Sequence, residues 1–75
     1  MKHNNQLKMP LWIDNNGEKV ACVEKIKVMQ QNLEELAQMA QDTFEDGILM
    51  GIGEQQLRDF MLILVKGLIN PYTKK

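Results

Sequence analysis

The sequence predicts an all-α fold: a long helix and a shorter helix forming an antiparallel hairpin, which dimerises into a four-helix bundle. Three observations carry this expectation. Apolar residues recur at spacings of three and four through residues 22–50. A second run of helical period occupies residues 54–69, and Gly51 and Gly53 punctuate the join. The apolar mass is Leu, Ile, Val and Met, with aromatics at only 5 %, which suits helix packing better than a small β-barrel.

Composition narrows the function classes. Seventy-five residues bury only about 60 % of their unfolded surface, so a lone core of this size is marginal. Cys22 is the one cysteine and His3 the one histidine, which excludes an intramolecular disulfide and a Cys/His zinc site. A net charge of −1 gives no global attraction to nucleic acid. No apolar run reaches the roughly 18–20 residues of a membrane span. The stretch Met1-Lys2-His3-Asn4-Asn5-Gln6 lacks the apolar core of a signal peptide, so a cytoplasmic location without membrane association is expected.

Residues 1–21 are read as a tail and an arm. The first nine residues are polar and irregular, and expected to be mobile. Leu11-Trp12-Ile13-Asp14 and Glu18-Lys19-Val20 flank Asn15-Asn16-Gly17, a hairpin signal, so residues 10–21 form either a short β-hairpin or an irregular arm on the helices. The helical hairpin follows over residues 22–70. Cys22, Ile26, Met29, Leu33, Leu36 and Ala40 make a heptad seam in the first helix, residues 22–50. Thr43 takes the next seam position with Phe44 beside it. Gln30, Gln31, Glu34, Glu35, Gln38 and Gln41 supply the solvated faces. Gly47 is a weak point costing about 1 kcal/mol relative to Ala. Gly51 is the natural left-handed residue closing the helix, with Ile52 after it, and Gly47 is the alternative end. Gly53 serves as N-cap of the second helix, residues 54–69, and Asn70-Pro71 ends it. Residues 71–75 are a basic tail.

At about 1.5 Å per residue the second helix covers only the C-terminal half of the first, leaving Ile26, Met29 and Leu33 open. Phe60-Met61-Leu62-Ile63-Leu64-Val65 is apolar for six positions running, more than one contact face needs. Both features ask for a second copy. The first helix is also basic at its start and acidic at its end, against its macrodipole. An antiparallel pair centred near Leu33–Leu36 sets Lys25 opposite Asp46 of the other chain. The expected dimer interface is therefore Lys25, Ile26, Met29, Leu33, Leu36, Ala40, Phe44, Asp46, Phe60 and Leu64. Leu11, Trp12 and Ile13 form an apolar cluster outside the helices, assigned either to capping the bundle or to binding a partner protein.

Candidate chemistries are weaker. Cys22 near a helix start, with Lys25 one turn on, has features of a reactive thiol, but no histidine base accompanies it and a small seam residue is the simpler role. The methionines lack the close pairing that Cu(I) needs and read as adaptable packing. Asp42, Asp46 and Gly47 match three positions of an EF-hand loop, whereas Phe44 and Gly53 stand where oxygen ligands are required. Gly47, Gly51 and Gly53 before a helix lack the Lys-Ser/Thr of a phosphate loop, and Glu45, Asp46 and Glu54 would repel an anion. No Glu-x-x-His motif or nucleophile–base pair is present, so neither a metal, a cofactor nor catalysis is expected. Lys2, Lys8, Lys19, Lys25, Lys27, Lys66, Lys74 and Lys75 gather toward the ends of such a dimer, and are the sole argument for nucleic acid, a partner class the acidic middle disfavours. The expected function is a small helical homodimer acting as a protein–protein interaction module, whether adaptor, accessory subunit or regulator. The alternative is a small nucleic-acid-binding regulator.

Overall fold

The computed structural model describes residues 7–73. Lys2, the rest of the first six residues, Lys74 and Lys75 lie outside the described residues. Two helices form, α1 (Val23–Leu49) and α2 (Glu54–Lys66), with no strand among the described residues. The fold is thus all-α and a helical hairpin. The chain divides into two compact units, Met1–Gln41 and Asp42–Lys75.

In the first unit, the chain before α1 makes a three-residue loop. Gly17 N–H donates to the Asp14 carbonyl at 3.0 Å, and Asp14 N–H to the Glu18 carbonyl at 2.8 Å. The Asp14 carboxylate also accepts from the amides of Asn16 and Glu18, at 2.8 and 2.9 Å. This is the local side-chain capping that makes Asp favourable at the start of a turn. Gly17 has φ +82, the left-handed conformation that closes a three-residue hairpin loop. Pairing stops there. Ile13 and Lys19 form one isolated antiparallel bridge, and Val20 N–H donates to the Trp12 carbonyl at 2.9 Å. Between hairpin and irregular arm the structure therefore lies in the middle: the turn is made, but the flanking runs are too short to build strands. The arm folds back beside α1, where the Leu7 amide donates to the Glu34 carboxylate at 3.4 Å.

In the second unit, α1 ends as its glycines direct. Ile52 N–H reaches the Gly47 carbonyl and Gly51 N–H the Ile48 carbonyl, both at 3.0 Å, and Gly51 has φ +93. This pair of reversed bonds is a Schellman closure, with Gly51 in the left-handed site. The alternative end at Gly47 is not used. Gly53, at φ −61 and ψ 135, is the N-cap of α2 and makes no side-chain cap bond. The turn between them is short. Gly47 meets Leu57 and Phe44 meets Arg58, so rising positions in α2 face falling positions in α1 and the two run antiparallel.

The end of α2 differs from the sequence expectation. The helix stops at Lys66 rather than Ile69, with Gly67 as C-cap and its N–H bonded to the Ile63 carbonyl at 2.9 Å. Glycine costs about 1 kcal/mol in a helix interior. Only Leu68 and Ile69 remain before Asn70, which Pro71 pushes out of the α region. Two residues cannot offset that penalty. Asn70 instead accepts from Tyr72 N–H at 2.9 Å, a side-chain turn of its own.

Candidate functional site

No hydrophobic side chain among the described residues is buried, and Gly47 is the one buried position. The surface is therefore where the chemistry of this chain resides. Its most distinctive feature is apolar. Along α2, Phe60, Leu62, Ile63, Leu64 and Val65 are each between 56 % and 61 % exposed. Leu57 and Met61 are the half-buried residues of the helix. They lie one turn apart and mark the side packed within the unit. Six consecutive apolar residues cannot share one helical face, so most of them turn outward. These exposed apolar side chains are the candidate site of this chain.

The turn end of the helical hairpin carries a stacked cation. The Arg58 guanidinium lies over the Phe44 ring, 4.5 Å from its centroid, and Arg58 Nε donates to the Glu54 carboxylate at 3.0 Å. Sequence reading missed this contact. The signal available was that Arg58 is the sole arginine, one helical turn after Glu54 and across a short turn from an aromatic residue.

In the first unit the seam residues divide. Ile26, Leu33 and Ala40 are half-buried, whereas Met29 and Leu36 are 46 % and 57 % exposed. Of the three residues expected to stand open, Met29 does, whereas Ile26 and Leu33 are partly covered. Lys25 and Asp46 are exposed, each within its own unit. Phe44 is half-buried beneath Arg58, while Phe60 and Leu64 belong to the open α2 surface.

The arm residues divide as well. Trp12 is half-buried, and its indole Nε1 is buried without a protein acceptor. Leu11 and Ile13 are 66 % and 50 % exposed. Successive side chains of an extended segment point to opposite faces. Trp12 therefore shares a face with its cross-strand neighbour Val20, also half-buried, and Leu11 and Ile13 take the other. The arm packs through its tryptophan and displays its two aliphatic neighbours.

Other candidates carry little. Cys22 is an exposed free thiol. Among the described residues no group of three His, Cys, Asp or Glu side chains could hold a metal ion. A shallow depression on α1 beside Gln31, Glu34, Glu35 and Gln38 is polar, and Gln30 Nε2 donates to the Glu34 carboxylate there at 3.1 Å. Among the described residues no helix is long and apolar enough to cross a membrane. Comparison with protein-family models, with curated proteins and with solved structures finds no match for this chain.

Proposed function

We propose that this chain is a protein–protein interaction module that associates with itself, two hairpins supplying the four helices of a bundle, with no catalysis of its own. The single observation that supports this reading is the open apolar surface of α2, where five residues remain more than half exposed. Fully burying a Leu, Ile, Val or Phe side chain contributes about 1.5–3 kcal/mol. Covering several such residues on each of two copies offsets the marginal stability of a 75-residue chain. The exposed Leu11 and Ile13 on the arm, with Leu49 and Met50 at the end of α1, offer further apolar contacts to a protein partner. The single cysteine, free and exposed, fits the reducing cytoplasm.

The reading is tested by mixing two purified versions of the full chain that carry different affinity tags, then denaturing and refolding them together. Self-association predicts that each tag retains the other. Separate elution of the two versions contradicts it.

A further inference from the structure

We infer that the homotypic contact is made by α2 lying antiparallel on α2 of a second copy, centred between Phe60 and Ile63 and held in register by Asp59 opposite Lys66. This deepens the proposed self-association and rests on it. At 3.6 residues per turn, Gln56, Phe60, Ile63 and Gly67 share a stripe about a third of a turn away from the Leu57–Met61 side. Their spacing of four, three and four is that of a helix–helix seam. Phe60 and Ile63 are 56 % and 59 % exposed, so the centre of the stripe is uncovered. Gly67 closes the stripe with no side chain, which lets a neighbouring helix approach.

The charges select the direction. Asp59 and Lys66 are seven residues apart and flank the same side of the stripe, Asp59 just before Phe60 and Lys66 just before Gly67. In an antiparallel pair with Phe60 opposite Ile63, equivalent flanking positions meet across the seam. Asp59 of each copy then faces Lys66 of the other, giving two symmetric ion pairs. Gln55 Nε2 donates to Asp59 Oδ1 at 2.9 Å, which steadies the carboxylate on this flank. A parallel pair would instead bring Leu64 beside Asp59 and lose both attractions. Leu64, 58 % exposed, borders the stripe on its other side and meets Leu57 of the second copy in the antiparallel register. Apolar periodicity and charge placement thus specify the same alignment. The occupant is a second copy because the stripe carries its own complement, Asp59 toward one end and Lys66 toward the other, so two-fold symmetry pairs each charge with its opposite.

The test uses the full chain with Asp59→Lys, Lys66→Asp and the double reversal, with sedimentation equilibrium giving the dimer Kd and circular dichroism the helix content. Each single reversal is expected to raise Kd about tenfold, since two contacts turn repulsive at once. The double reversal restores the pairing and returns Kd to within about threefold of the unmodified chain. Phe60→Ala, at the centre of the stripe, also weakens the dimer, whereas Lys25→Glu on α1 leaves it unchanged. A dimer that withstands Asp59→Lys and Lys66→Asp but weakens on Lys25→Glu overturns this contact in favour of the α1 seam, with self-association intact. A double reversal no better than the singles also overturns it. A chain that stays monomeric throughout overturns the self-association itself.

Discussion

A Cβ built on Gly47 would stand 2.5 Å from Cδ2 of Leu57, so α1 carries a glycine where Leu57 of α2 packs. The glycine that weakens α1 as an isolated helix is what admits its partner. On helix propensity alone, Gly47→Ala would gain about 1 kcal/mol. Overpacking costs typically about 1–3 kcal/mol, and here it falls on the end of one flexible side chain. With that cost at the low end of its range, the two effects offset: we expect Gly47→Ala to be within about 0.5 kcal/mol of neutral in the native chain, and to stabilise it by about 1 kcal/mol in a Leu57→Ala background. Urea unfolding of the four chains measures the coupling. Equal effects in both backgrounds would contradict the packing.

The stacking of Arg58 on Phe44 leads to a second expectation. The Arg58–Glu54 ion pair joins side chains 55 % and 61 % exposed, so solvent screens it and Glu54→Gln changes stability by less than about 0.5 kcal/mol. The cation over the ring contributes about 0.5–1 kcal/mol at an exposed site. Arg58→Met should therefore lower the thermal midpoint by roughly 2–8 °C, and should do so much less in a Phe44→Leu background. Additive losses would show that the stacking contributes nothing.

Three glycines differ in sign. Gly17 and Gly51 sit at φ +82 and +93, where an L side chain costs roughly 1–2 kcal/mol. Alanine at either position destabilises by about that amount, and asparagine by less. Gly53 has φ −61 and caps α2 without a side-chain bond, so Gly53→Ser should stabilise by a few tenths of a kcal/mol. Thermal melts that rank all three substitutions alike would contradict these backbone assignments.

Trp12 reports on the arm. Its ring is half-buried while Leu11 and Ile13 are exposed. The single tryptophan should emit to the blue of free indole in the native chain and shift red on denaturation. Trp12→Ala should destabilise by about 1–3 kcal/mol, whereas Leu11→Ser should fall within about 0.5 kcal/mol. Native emission at the position of the denatured chain would place the arm in solvent.

Much of the fold was legible because its signals are local. The closure at Gly51 and the cap at Gly53 follow from a conformation that glycine adopts most readily and from the helical periods on either side. The turn at Asp14–Gly17 was legible for the same reason. What escaped depends on contacts between segments. Gly47 read as a defect until Leu57 was seen against it. The partial cover of Ile26 and Leu33 is not written in their period, which places them on one seam with the exposed Met29 and Leu36. The sequence reading ends α2 at Asn70-Pro71 and passes over Gly67, although the nearer breaker prevails when only two residues separate it from the residue before proline. The open surface of α2 was legible as an excess: six apolar residues in a row exceed what one neighbour covers, and the structure leaves five of the run more than half exposed.

The central claim is that this chain completes its fold by associating with a second copy, and its mass in solution tests that most directly. Size-exclusion chromatography with light scattering, on the full chain at tens of micromolar, should give twice the chain mass of 8.7 kDa. Dilution toward nanomolar concentration should lower that value and the helix content together. A mass of 8.7 kDa at every concentration, with helix content unchanged, would contradict the account.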